Sequence, residues 1–224
     1  MKTIIANFKS NKNRQEIQEW ISQFSGLRTQ DSNSSTVVLC PPVPYLASFA
    51  ETKNVELGVQ DLSPFPAGAY TGAIGTHNLE GLDVRYAIIG HSERRRYFHE
   101  SPQDVANKVR EAVSSGITPI VCVTKEQLNE TANAIEREHR AKIMVAFEPI
   151  EHIGTGESDT LEDILKTKEW VRAAFGSVPY IYGGSVNPNT DPAILHSDEI
   201  DGFLVGTACL DPKTFIELIQ KVDH

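Results

Sequence analysis

Three places in the chain put a group that can move protons or hold charge at the end of an apolar run. Ala146-Phe147-Glu148-Pro149 supplies a carboxylate, Ile89-Gly90-His91-Ser92 an imidazole, and Ala6-Asn7-Phe8-Lys9 an ammonium. A carboxylate buried against apolar residues is costly while charged, so Glu148 needs either a partner or work as a base. If a helical turn starts at Ser92, its N–H groups favour neutral imidazole over imidazolium at His91. Alternation along an extended strand sends Asn7, Lys9 and Asn11 to the same side, which suggests a polar pocket with one cation. Each group also has an ordinary reading. Lys9 fits a surface lysine, His91 an imidazole satisfied by backbone, Glu148 a salt-bridged residue, and Arg94-Arg95-Arg96 a solvated face.

Two glycine-bearing stretches add a different chemistry. Tyr182-Gly183-Gly184-Ser185-Val186 and Val205-Gly206-Thr207-Ala208 each follow an apolar run. Glycine lets backbone N–H groups approach an anion closely, as phosphate binding requires. Between Pro149 and Gly154-Thr155-Gly156 lies a stretch with a stiff and a flexible end, suited to a hinged lid. The seven histidines lack H-E-x-x-H spacing, and no zinc, calcium, Walker A or G-x-G-x-x-G pattern occurs, so no metal or nucleotide cofactor is expected. No G-x-S-x-G elbow forms either, because Arg94 takes the second glycine position.

These groups need elements to position them. Eight apolar runs, rich in Val and Ile, read as strands buried on both faces. They are Thr3–Ala6, Thr36–Leu39, Val55–Val59, Tyr86–Ile89, Pro119–Val123, Ile143–Phe147, Tyr180–Tyr182 and Phe203–Val205. Helical periods lie between them. Ile17, Trp20, Ile21 and Phe24 share one face, as do Val105, Val109, Ala112 and Val113, and again Phe215, Leu218, Ile219 and Val222. Ser101-Pro102 and Asp211-Pro212 each pair a capping side chain with a proline suited to the first turn. Eight strand–helix units without a Pro-, Gly- or Ser-rich linker predict one closed (β/α)8 barrel over residues 1–224. An open doubly wound sheet has the same periodicity. In a barrel, chemistry sits where strands end, which is where the groups above fall.

The bulk numbers allow a packed core and make global disorder unexpected. The 224 residues are 40% hydrophobic and 23% charged, enough for a packed interior. A net charge of −9 disfavours nucleic acid, and an anionic substrate needs a local cationic pocket. Three cysteines without a C-x-x-C pair indicate neither a disulfide framework nor a zinc ribbon. No run approaches the roughly 20 residues of a membrane span, and no signal peptide is evident. A reduced cytoplasm is the expected setting.

Taken in order, the segments resemble the triosephosphate isomerase family nearly end to end. The matching pieces are Asn7-Phe-Lys9-Ser-Asn11, Gly68-Ala-Tyr-Thr71-Gly72, Gly90-His-Ser-Glu-Arg-Arg95 with Phe98 and Glu100, Glu148-Pro149, Ile153-Gly-Thr-Gly156, Tyr182-Gly-Gly-Ser-Val186 and Leu204-Val-Gly206. The resemblance implies interconversion of dihydroxyacetone phosphate and glyceraldehyde 3-phosphate, in glycolysis and gluconeogenesis, without a cofactor. It implies that Asn7 and Lys9 contact substrate, that His91 is the electrophile and that Glu148 is the base. Ser92 and Glu93 would orient them. Backbone N–H groups of Gly154, Ser185, Gly206 and Thr207 would hold phosphate. It also implies a homodimer through the loop around Thr71. The departures are Thr207 for a second glycine, Glu151 and His152 at the lid hinge, Cys122-Val-Thr-Lys125 for Cys-x-Gly-Glu, Ala73 for Glu, and a short stretch between strands five and six. Two rival expectations stay open: an aldolase with a Schiff base at Lys9, and an inactive barrel kept for binding.

Overall fold

The computed structural model describes residues 1–27, 35–149 and 159–224. Eight strands run β1 Thr3–Asn7, β2 Thr36–Cys40, β3 Glu56–Val59, β4 Val84–Ile89, β5 Thr118–Val123, β6 Met144–Phe147, β7 Tyr180–Tyr182 and β8 Gly202–Val205. Each pairs in parallel with the next, and β8 returns to β1, so the sheet is a closed barrel. The closed order settles the choice against an open sheet. Every predicted run is a strand, with no end displaced by more than two residues and Tyr180–Tyr182 matched at both ends.

Helices cover the outside: α1 Arg14–Leu27, α2 Ser92–Tyr97, α3 Pro102–Ser114, α4 Leu128–Ala134, α5 Arg137–Arg140, α6 Leu161–Phe175, α7 Pro192–Leu195 and α8 Pro212–Asp223. Their apolar faces are those the periodicity predicts. Ile17, Trp20 and Phe24 are buried on α1, and Phe215, Leu218, Ile219 and Val222 on α8. The caps form as expected. Ser101 Oγ accepts the Asp104 N–H at the start of α3, and Asp211 Oδ1 accepts the Thr214 N–H at the start of α8. The Asp211 carboxyl is held below its usual range chiefly by that backbone hydrogen bond.

Alternation along the strands builds two cores. Ile5, Val38, Ile88, Ile120, Ala146, Ile181 and Leu204 fill the barrel interior. Their strand neighbours, among them Ile4, Val37, Ile89, Val145 and Val205, face the helices. A period of two therefore carries the inward direction one step past each strand. The next inward positions are Asn7 after Ile5, Glu148 after Ala146, Gly183 after Ile181 and Gly206 after Leu204.

The helical layer also supports the barrel mouth. Trp20 packs on Phe24 at 4.7 Å and on Phe8 at 5.0 Å between ring centroids. Its indole Nε1–H donates to the Cys209 carbonyl at 3.0 Å. Cys209 ends the short 3₁₀ turn Thr207–Cys209 that follows β8. A second brace is a buried charge cluster. Lys108 on α3 donates to Asp61 at 2.6 Å and to Glu100, while Arg94 on α2 reaches Asp61 at 2.8 Å and also pairs with Glu100. It ties the end of β3 to two helices.

Barrel closure leaves no room at one position. A Cβ added to Gly202 would lie 2.1 Å from the Thr3 carbonyl oxygen, across the β8–β1 pair. Backbone cannot yield there as a flexible side chain would. Gly202→Ala should lower stability by roughly 1–3 kcal/mol, the usual cost of overpacking. Urea unfolding followed by circular dichroism checks this. An unchanged midpoint would show that the barrel adjusts freely at its seam.

Candidate active site

The inward positions just past the strands converge on one cleft at the carboxyl end of the barrel. It has a volume of about 440 Å³ and is lined by Asn7, Lys9, His91 and Glu148 on one side. Gly183, Gly184, Ser185 and Val186 after β7, and Gly206, Thr207 and Ala208 after β8, form the other. Asn187, Leu204, Asp211 and Thr214 complete the wall.

Glu148 is almost wholly buried, with a side chain 2% exposed. Its charge is met by three donors. Ser92 N–H donates to Oε2 at 2.9 Å, Ser92 Oγ–H donates to Oε1 at 3.2 Å, and His91 Nε2 lies 3.0 Å from Oε1. Its own N–H donates to the Val123 carbonyl, which extends the sheet by one residue.

His91 breaks the alternation, because Ile89 before it faces the helices. Gly90 redirects the chain with φ +70. A Cβ there would also lie 2.8 Å from Val105 Cγ2 and 2.9 Å from Arg95 Nη2. Only glycine combines that backbone angle with that close packing. His91 then acts as the cap of α2, and its Nδ1 accepts the Glu93 N–H at 3.2 Å. A nitrogen that accepts from a backbone N–H carries no proton, so the ring proton sits on Nε2 and faces Glu148. Arg95 secures this turn from behind, donating to the Gly90 carbonyl at 2.8 Å and to Thr131 Oγ1 at 3.0 Å.

Lys9 sits in the left-handed region with φ 51, a conformation rare for a side-chain-bearing residue. Such strain persists only where surrounding contacts fix it. Here the Lys9 N–H donates to Asn7 Oδ1 at 3.1 Å, and its carbonyl accepts from Gln60 Nε2 at 3.1 Å. Nζ donates to Glu93 Oε1 at 2.8 Å. The far end of the side chain lies beside Gly206, where an added Cβ would be 3.6 Å from Lys9 Cε. The turn at Lys9 also ends the alternation. Asn11 does not join Asn7 and Lys9 in the cleft: its Nδ2 donates back to the Phe8 carbonyl at 2.8 Å. The expectation for Asn11 fails because the extended backbone stops at Asn7.

The glycine wall offers donors rather than charge. Among the described residues, the N–H groups of Gly184, Thr207 and Ala208 donate to no protein atom. Lys9 is the one Lys or Arg lining the cleft among these residues. The expected phosphate contact at Gly154, and the lid substitutions Glu151 and His152, lie outside the described residues. Sequence reading missed Leu204, Asn187, Ala208 and Thr214 as cleft residues and took Asp211 only as a cap. The signal for Thr214 and Asp211 was the capping pair itself, since α8 starts at the cleft edge.

The chain can be set beside known proteins on this geometry. The family model described as triosephosphate isomerase matches residues 2–222. A triosephosphate isomerase of Mesomycoplasma hyorhinis is 36% identical over 234 residues, covering 96% of each chain. One of Wolinella succinogenes is 36% identical and covers 98% of this chain and 99% of its own length. One of Azoarcus is 37% identical over 207 residues, 82% of this chain and 86% of its own. The match spans every strand and every turn that lines the cleft, and the chain belongs to the triosephosphate isomerase family of isomerases.

Proposed function

We propose that this chain interconverts dihydroxyacetone phosphate and glyceraldehyde 3-phosphate by moving a proton between adjacent carbons. The observation that carries the reading is the shared cleft: a buried carboxylate, an imidazole and an ammonium opposite a glycine-bearing wall in which, among the described residues, the Gly184, Thr207 and Ala208 N–H groups donate to no protein atom. Glu148 takes a proton from one carbon and returns it to the other. His91 turns its Nε2–H from Glu148 to the substrate carbonyl and polarises it. Lys9 stabilises the negative charge that develops on oxygen. Electrons and protons balance within the substrate, so the chemistry calls for no cofactor. Ser92 and Glu93 act by orientation, Ser92 on Glu148 and Glu93 on Lys9. Asn7 fixes the strained turn at Lys9. Gly154, Ser185, Gly206 and Thr207 hold phosphate through N–H groups. An aldolase reading is less well supported, because a Schiff base needs a free amine and Lys9 is paired with Glu93.

In this reading the whole chain works as one domain, in the cytoplasm, within glycolysis and gluconeogenesis. The three free and buried cysteines suit a reducing compartment. Self-association is part of the proposal. Residues 65–73 form an exposed loop closed at its base by Ser63 N–H donating to the Ile74 carbonyl at 2.8 Å. Phe65 and Tyr70 stack on each other at 4.6 Å and are still more than two-fifths exposed, while Tyr97 and Phe98 are largely exposed. Exposed aromatic groups of this kind mark contact surfaces. A twofold dimer through the loop around Thr71 is the simplest closed assembly.

A coupled isomerase assay on the purified chain tests the reaction. Glu148→Asp withdraws the carboxylate by about one methylene and should cost on the order of 10²-fold in turnover. Turnover of Glu148→Asp within about twofold of the parent chain removes Glu148 from the role. For the phosphate wall, an enediolate mimic bearing phosphate should bind far more tightly than its uncharged analogue. Ser185→Pro, which deletes one N–H, should weaken that binding. Equal affinities for mimic and analogue would reject the wall as a phosphate site. For assembly, Thr71→Arg should split the dimer and lower activity together, read by sedimentation and assay of the same samples. A parent chain that sediments as an active monomer rules the loop out as an interface.

A further inference from the structure

Polar side chains on the cleft wall are largely committed to one another. Asn7 Oδ1 accepts the Lys9 N–H, Lys9 Nζ donates to Glu93, and His91 Nε2 faces Glu148. Beyond the glycines, Thr214 Oγ–H donates to Asp211 Oδ1 at 2.8 Å, and Asn187 Oδ1 accepts the Asn189 N–H at 2.8 Å. Thr207 differs. It lines the cleft and is exposed, and among the described residues its hydroxyl bonds to no protein atom. A hydroxyl offers one donor and two acceptor positions, so this one is open to whatever enters the cleft.

The backbone beneath that hydroxyl is fixed. Thr207 opens the turn after β8, where the Cys209 N–H donates to the Gly206 carbonyl at 3.0 Å and the Leu210 N–H to the Thr207 carbonyl at 3.1 Å. Trp20 holds the same turn through the Cys209 carbonyl. Thr207 lies outside the left-handed region, so its β-branched side chain is carried without that backbone strain. The side chain is stiff at χ1, and the N–H beside it donates to no protein atom among the described residues. One residue thus presents two donors. The glycine that the family resemblance leads one to expect here would present the N–H alone. The added donor matters because charge is scarce. Lys9 is the one Lys or Arg lining the cleft among the described residues, and Glu93 shares it. A hydroxyl donating to an ionised oxygen makes a stronger bond than one between neutral groups.

We propose that the Thr207 hydroxyl donates to a phosphate oxygen of the substrate, alongside the N–H of the same residue, and sharpens this chain's preference for a phosphorylated triose. The inference rests on the glycine-bearing wall holding the substrate phosphate. Water competes for an exposed hydroxyl, so the gain is the modest net worth of one hydrogen bond. The phosphate is remote from the carbons that exchange the proton, so the bond is common to substrate and transition state. Its loss therefore raises KM and changes kcat little.

The experiment is calorimetric titration of inorganic phosphate into the parent chain, Thr207→Val, Thr207→Gly and Thr207→Ser. Melting temperature and isomerase kinetics are read on the same samples. Thr207→Val keeps the branched shape and the N–H but removes the hydroxyl, and should weaken phosphate binding by about threefold to tenfold. Thr207→Gly lacks the hydroxyl too and should lose at least as much. Thr207→Ser keeps the hydroxyl and loses only a methyl, and should stay within about twofold of the parent. KM for the triose phosphate should follow the same order. If Thr207→Val fails to fold, Thr207→Gly set against Thr207→Ser decides in its place. Parental phosphate affinity in Thr207→Val overturns the proposal. So does parental affinity in Thr207→Gly beside weak binding by Thr207→Val, which assigns the loss to the added valine methyl. Equal losses in Thr207→Ser and Thr207→Val also overturn it, because they assign the effect to packing. Titration needs no turnover, which separates the two readings. A parent chain that binds phosphate without isomerising triose phosphate sinks the proposed reaction alone. A Thr207→Val chain that isomerises and binds phosphate like the parent sinks the role of the hydroxyl alone. A parent chain that does not bind phosphate sinks the hydroxyl and the phosphate wall together.

Discussion

A carboxylate buried at the mouth of a barrel has to be compensated, and the arrangement around Glu148 follows from that constraint. Isolated burial of a charged carboxylate costs several kcal/mol or more, so donors must converge on it. Here they come from one turn, the His91–Ser92 start of α2. That turn exists in its present form because Gly90 redirects the chain and Arg95 clamps it. The compensation is also reversible. Two of the three donors are side-chain groups, His91 Nε2–H and Ser92 Oγ–H, which can turn to another acceptor. A group held this way is fixed without being locked into a permanent ion pair.

The cation opposite is held by a similar logic. Lys9 occupies a strained backbone position, and Asn7 and Gln60 satisfy the groups that the strain exposes. Its ammonium leans on Glu93, which belongs to the same helical turn that supplies His91 and Ser92. One short helix thus sets the imidazole, orients the carboxylate and tethers the lysine. The cluster of Asp61, Arg94, Glu100 and Lys108 fixes that helix against α3 and the end of β3. Burial raises the Asp61 carboxyl against the lowering pull of Lys108 and Arg94. The cluster therefore serves as a tie between elements more than as a source of net stability.

An acidic chain with one Lys or Arg among the described residues of its cleft can still favour an anion, provided the donors are backbone N–H groups. The chain carries a net charge of −9, and Asp211 adds a carboxylate to the cleft wall. That carboxylate already accepts the Thr214 N–H and Oγ–H, so its charge is partly spent on α8. The turns after β7 and β8 present N–H groups in its place. Trp20, pinned beneath the second turn, shows how far into the helical layer the support extends.

The sequence by itself determined the layers and the order of the units. Eight runs of Val and Ile and the helical periods between them were legible because burial on both faces, or on one stripe, leaves a local mark on composition. The caps at Ser101 and Asp211 were legible for the same reason, since cap and helix are adjacent in the chain. Glu148, His91 and Lys9 stood out as charged or titratable groups where apolar runs stop. Tertiary structure alone decided what those groups touch. Asn11 follows Lys9 by two residues and would share its side on any extended strand, yet the turn at Lys9 sends it back to Phe8. Ser92 meets Glu148 across 56 residues of chain, and Asp159 meets Tyr182 across 23. Neither pair leaves a trace in local spacing, because barrel closure and helix packing bring them together. Strand alternation fixes which side of the barrel a residue faces; only the closed barrel fixes which residues share that side.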